Sequence, residues 1–146
     1  MGTIILAKQN LTSALIRLHE TLQHCEDLQL MQNRQASLLM SNEELERTLR
    51  DSLIQRFEFC SDLFWKYLKR YEEETFNISL EIVAPRSVIM AACKAAIISE
   101  PDAEILLEMI KSRNFTSHIY KEETANEISA QIPQYYKIMQ KYAEKL

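Results

Sequence analysis

Leu53-Ile54-Gln55-Arg56-Phe57-Glu58-Phe59-Cys60-Ser61-Asp62-Leu63-Phe64-Trp65-Lys66-Tyr67-Leu68-Lys69-Arg70-Tyr71 is the stretch that decides the fold of this chain. Leu53, Phe57, Cys60, Phe64, Tyr67 and Tyr71 recur at alternating steps of four and three, and Trp65 and Leu68 widen the stripe. A helix turns once in about 3.6 residues, so these steps keep a single face apolar over roughly five turns. A strand would need alternation by two. Repeated four-three spacing also belongs to helices packed side by side at shallow angles, as in coiled coils and bundles.

The same rhythm recurs on both sides of this stretch. Leu11, Leu15, Leu18, Leu22 and Cys25 predict a first helix over residues 7–31, and Gln32 to Met40 a first connection. Ser41 with Glu44 has the pattern of a capping box that opens the long second helix. The acidic run Glu72-Glu73-Glu74 opposes the negative end of the helix dipole, which predicts fraying there and a loop from Thr75 to Ala84. Pro85 suits the first turn of a third helix, buried through Val88, Ala92 and Ala95. Ser99-Glu100-Pro101 restarts the chain into a segment with Ala103, Leu106, Leu107 and Ile110 inside, ending near Ser112. Ile128, Ile132, Tyr135, Met139, Tyr142 and Leu146 line a last helix. Thr124 and Glu127 could cap it, and Pro133 should kink it or shift its start. Three long helices and a broken one describe an all-α, antiparallel four-helix bundle spanning residues 1–146 as a single domain.

Composition agrees. The sequence has 146 residues but only one glycine and three prolines, too few for the tight turns of a sheet protein of that length. A net charge of −4 argues against a protein that coats nucleic acid without selectivity, while leaving room for a small basic site. Cys25, Cys60 and Cys93 are widely spaced and lie in helical apolar patterns, so reduced core thiols of a cytoplasmic protein are expected. Ile4-Ile5-Leu6 is too short for a signal peptide, and no stretch reaches the ~20 apolar residues of a membrane span. No glycine-rich phosphate loop and no metal-ligand spacing occur, so neither cofactor nor metal is expected.

Between the last two amphipathic segments lies Arg113-Asn114-Phe115-Thr116-Ser117-His118-Ile119-Tyr120. It gathers a permanent cation, an imidazole, small hydrogen-bonding side chains and a phenol. An imidazole can move protons near neutral pH, and a guanidinium can hold a phosphate through two parallel hydrogen bonds. That combination suits phosphodiester cleavage without a metal. The plainer alternative is a polar turn, with Asn114 as a left-handed cap, Thr116 or Ser117 capping the next segment, and His118 and Tyr120 half-buried at an edge.

Ile54-Gln55-Arg56-Phe57-Glu58-Phe59, Trp65, Leu68, Pro85-Arg86 with Ala92 and Ala96, and the Arg113–Tyr120 motif together resemble HEPN domains over roughly residues 50–142. The resemblance is strongest to the branch found beside minimal nucleotidyltransferases and described as nucleotidyltransferase substrate-binding proteins. It implies a helical bundle, and in many members a metal-independent endoribonuclease acting as the toxin of a toxin–antitoxin pair. By it, Arg113 and His118 form the catalytic site at a dimer cleft and Asn114 assists. Tyr120 is the residue to which the partner nucleotidyltransferase, the antitoxin, adds AMP. A non-catalytic substrate-binding subunit of that nucleotidyltransferase is the alternative the same resemblance leaves open.

The chemistry suggests a homodimer. Cleavage of RNA needs a base at the 2′-hydroxyl, an acid at the leaving 5′-oxygen and a cation near the phosphorane. Each chain has one well-placed imidazole, and a two-fold axis would supply His118 and Arg113 twice. Thr116, Ser117, Lys111 and Lys121 are candidate substrate contacts. His19 and His24 fall in the first helix and read as structural or solvent-facing.

Overall fold

The computed structural model describes residues 2–30 and 41–146. Five helices occur among them and no strand: α1 (Gly2–Leu30), α2 (Asn42–Phe76), α3 (Pro85–Lys94), α4 (Glu100–Phe115) and α5 (Glu122–Lys145), with a 3-10 turn at Thr116–His118. The expected connection from Gln32 to Met40 lies outside the described residues.

The stripe on α2 is buried as the spacing demands. Leu53, Phe57, Cys60, Phe64 and Tyr67 are inside, widened by Ile54, Ser61 and Leu68. α2 packs against α1, α3, α4 and α5, which makes it the central element. Thr3 Oγ1 donates to Glu74 Oε1 at 3.1 Å, so α1 starts where α2 ends and the two are antiparallel. Arg50 Nη1 donates to Asn126 Oδ1 at 3.1 Å, and Phe57 stacks on Tyr135 at 5.6 Å, so α2 and α5 run the same way. Tyr142 OH donates to Asp102 Oδ2, joining the start of α4 to the end of α5 and making that pair antiparallel. The result is the expected bundle, with α3 and α4 together forming its broken fourth column.

Three boundaries depart from expectation for physical reasons. α1 begins at Gly2 rather than residue 7, because Ile4 and Ala7 extend the four-three stripe and pack on the core. α2 continues through the acidic run to Phe76, where Asn77 takes the left-handed cap at φ 54°. The run is tolerated because its charges are handled singly. Glu72 is buried, Lys69 pairs with Glu73, and Thr3 donates to Glu74. α5 starts at Glu122, so Thr124 and Glu127 lie inside the helix and do not cap it. Its acidic first turn favours the dipole and meets α2, where Arg47 and Arg50 each lie 3.7 Å from Glu122. α5 runs unbroken through the exposed Pro133.

The break between α3 and α4 is set by Ala96 at φ 59°, with Ile97 N–H donating to the Ala92 carbonyl at 2.9 Å. Ser99 Oγ then caps α4 by accepting from Asp102 N–H. Burial alone would raise the Asp102 carboxyl, but hydrogen bonds from Lys141, Tyr142 and Ser99 hold it below its ordinary value. Glu72 has no such partners: neither carboxylate oxygen has a hydrogen bond. Burial, helped by neighbouring Glu73, pushes Glu72 up to about 8. The three cysteines are free. Only Cys60 is fully buried, with its thiol pushed up to about 12 by burial. Cys25 and Cys93 are half-buried, so the expectation of three core thiols holds for one.

Glu72 and Ala96 each make stability testable. Folding takes up a proton at Glu72 between its ordinary value of 4.5 and about 8, so this group's contribution is greatest below pH 4.5 and is lost as pH rises through 8. Glu72→Gln should match the parent near pH 4.5 and exceed it by roughly 3 kcal/mol at pH 7, as read by urea unfolding; parallel pH profiles would contradict this. Ala96→Gly should raise stability by about 1 kcal/mol in the same assay, because glycine accepts positive φ without steric cost.

Candidate functional site

α4 does not stop at Ser112 but continues to Phe115, carrying Arg113 and Asn114 in its last turn. A cation suits that end of a helix. Thr116 closes the helix by donating from Oγ1 to the Arg113 carbonyl at 2.7 Å, and it is buried. The 3-10 turn comes next, with Ile119 N–H on the Thr116 carbonyl and Lys121 N–H on the His118 carbonyl. Ile119 anchors the turn by packing on the core. Asn114 is helical, so the left-handed cap of the plainer alternative does not form.

Each nitrogen of the Arg113 guanidinium has a partner. Nε and Nη2 donate to the two oxygens of Asp62 at 3.3 and 3.2 Å, a bidentate fork. Nη1 donates to Thr116 Oγ1 at 3.0 Å and lies 3.5 Å from Glu58 Oε2. The hydrogen bonds to Asp62 raise the guanidinium above its already high value despite partial burial, and the charges of Asp62 and Glu58 add to this. Asp62 occupies the Nε–Nη2 edge, one of the two through which a guanidinium can grip a phosphate. Arg113 thus braces α4 against α2 across 51 residues of sequence.

Beyond this clasp the side chains face solvent. Asn114, Ser117, His118, Lys111 and Lys121 are exposed, and Tyr120 is 75% exposed. The plainer alternative, in which His118 and Tyr120 are half-buried edge residues, is therefore not met. Their rings meet edge-on at 6.0 Å, and the Phe115 ring lies tilted 6.2 Å from His118. Lys121 Nζ lies 5.9 Å from the Tyr120 ring centre. Thr116, expected among the substrate contacts, is instead a buried part of the clasp. No hydrogen bond links Arg113 to His118. Ser112 Oγ and Tyr135 OH are 2.9 Å apart just behind the turn. His19 stacks on Tyr136, a structural place, while His24 faces solvent.

Glu58 and Asp62 are members of this site that the sequence does not announce. Their spacing of four puts both carboxylates on one flank of the α2 stripe. That is the signal available, but acidic flanks are common on amphipathic helices. Among the described residues no group of three or more His, Cys, Asp or Glu could hold a metal ion, and no helix is long and apolar enough to cross a membrane.

Known proteins resemble this chain in sequence and in fold. The family model described as nucleotidyltransferase substrate binding protein like matches residues 7–146. A Haemophilus influenzae protein, HI0074, has a TM-score of 0.76 and 24% identity, with 94% of this chain and 97% of that one covered. Its structure is described as revealing the fold of a substrate binding domain of a nucleotidyltransferase. A Thermus thermophilus protein has a TM-score of 0.63 and 27% identity, with 88% of this chain and 97% of that one covered. No curated protein matches the sequence.

The clasp has a measurable consequence. Asp62→Ala should lower stability by about 1 kcal/mol, the scale of a partly exposed ion pair. It should also speed amide exchange across residues 116–121 while leaving the α2 core unchanged. Unaltered exchange in the turn would show that Arg113 does not hold it.

Proposed function

This chain belongs to the nucleotidyltransferase substrate binding protein like family, and we propose that it acts with a partner nucleotidyltransferase by offering the Tyr120 phenol as acceptor of AMP. The observation that carries this reading is the exposure of Tyr120 on a braced turn, its ring against His118. A transferase must bring the α-phosphorus of ATP to the acceptor oxygen in line with the leaving group, which requires a protruding, positioned hydroxyl. The phenol oxygen bonds to that phosphorus, the bond to the bridging oxygen breaks, and pyrophosphate leaves. The phenol proton passes to a base, a role open to the neighbouring imidazole.

What the modification controls, on this proposal, is a metal-independent endoribonuclease built by a homodimer, the toxin of a toxin–antitoxin pair. His118 from each copy serves as base and acid: one takes the 2′-hydroxyl proton as that oxygen attacks the adjacent phosphorus, the other protonates the departing 5′-oxygen. The products are a 2′,3′-cyclic phosphate and a 5′-hydroxyl. Asn114 and Ser117, both exposed, can contact the scissile phosphate, with Lys111 and Lys121 on the rim. Arg113 acts here as a positioning residue, since its fork is held by Asp62. An adenylyl group on Tyr120 adds bulk and a negative charge beside His118, which repels the RNA backbone.

A second reading, a non-catalytic substrate-binding subunit, is favoured by one observation. The only arginine of the motif is neutralised by two carboxylates rather than left for a phosphate.

Incubating the full chain with a partner nucleotidyltransferase and ATP should add AMP mass to the peptide containing Tyr120, and Tyr120→Phe should abolish it. The unmodified protein should cleave single-stranded RNA without added metal, and His118→Ala should reduce the rate by about 100-fold or more with the fold intact. Modification without any cleavage by the parent protein would leave the binding-subunit reading. An unmodified Tyr120 would remove the acceptor role.

A further inference from the structure

Phe115 belongs to two features at once. It is the far end of the exposed ring series Tyr120, His118, Phe115, and it also lines a groove of about 770 Å³ between α4 and α5. The rest of that groove has a particular chemistry. Glu104, Glu108 and Glu127 outnumber its one cation, Lys111, while Gln131 and Gln134 offer amides. The net negative balance disfavours a phosphate there, while a carboxylate accepts from the amino group of a base and glutamine can address an adenine through both its amino group and ring nitrogen. Phe115 is about half exposed, so a flat ring can stack on it without displacing the core. A cation stands at the Tyr120 end, where Lys121 lies over the ring and is exposed.

We propose that the α4–α5 groove is an adenine-binding site, entered over Phe115, that receives the base of an AMP group attached to Tyr120. The inference rests on the acceptor role proposed above and adds what becomes of the modification. The phosphodiester stays at the turn beside Lys121, the ribose crosses His118, and the adenine lies on Phe115 facing Gln131 or Gln134. The charge along the surface favours this order: Lys121 at the turn, rings between, and the neutral base in a groove where three carboxylates face the single cation Lys111. Attachment to Tyr120 makes binding intramolecular, so a groove too weak to hold free nucleotide at low concentration is still filled. The docked group covers the imidazole, so silencing is steric as well as electrostatic.

The test is NMR on the full chain adenylylated at Tyr120. Nuclear Overhauser contacts from the adenine protons to the Phe115 ring and to the Gln131 or Gln134 side-chain amides are expected, and Phe115→Ala should lose them while remaining modified. An adenine with the shifts of free AMP and no such contacts overturns the inference and leaves the acceptor role standing. If Tyr120 is not modified, the acceptor role fails separately. Millimolar AMP added to the unmodified chain then decides: shifts confined to Phe115, Gln131 and Gln134, absent with ribose 5-phosphate, support an adenine site. No shifts, or equal shifts with both probes, overturn it.

Discussion

The bidentate contact between Arg113 and Asp62 is the constraint on which the functional end of this bundle depends. Four-three stripes explain why helices assemble, but a stripe tolerates sliding and gives no reason for α4 to stop at a given residue. The clasp supplies that reason. It pins the last turn of α4 to the middle of α2, with Thr116 accepting from Nη1 and Glu58 3.5 Å from the same nitrogen. The residues after it must then cross to α5 in a tight 3-10 turn, and Ile119 is the one that turns inward. His118 and Tyr120, on either side of Ile119, are left outside.

The fold uses its carboxylates in contrasting ways, which separates structural from functional acids. Asp102 is buried but surrounded by donors, so it stays ionised and ties α4 to α5. Glu72 is buried without a hydrogen-bond partner and is held largely protonated near neutral pH by its surroundings. Asp62 and Glu58 lie partly open at the surface and neutralise Arg113. The cation at the exposed turn is therefore Lys121 rather than the arginine of the motif.

Much of this was legible in the sequence. The spacing of Leu53 through Tyr71, the capping box at Ser41 and Pro85 at the start of α3 all act locally, through helix geometry and backbone hydrogen bonds. The motif from Arg113 to Tyr120 was legible as a candidate because it concentrates chemistry in a short span. Its internal arrangement was not. Thr116 reads as a polar contact and proves to be a buried clasp, since its role depends on a guanidinium held by residues 51 positions away. Asn114, a cap on the plainer reading, is helical, within an α4 that runs on to Phe115. Glu72 reads as the end of α2 because propensity cannot register that its charge is removed by burial.

On the function proposed, the turn braced by Arg113 and Asp62 is the surface a nucleotidyltransferase addresses. Hydrogen-exchange mass spectrometry of the full chain with and without its partner nucleotidyltransferase tests this most directly. Residues 113–121 should gain protection in the complex. Protection confined to α1 or to the α2–α3 connection, with 113–121 exchanging as in the free protein, would contradict it.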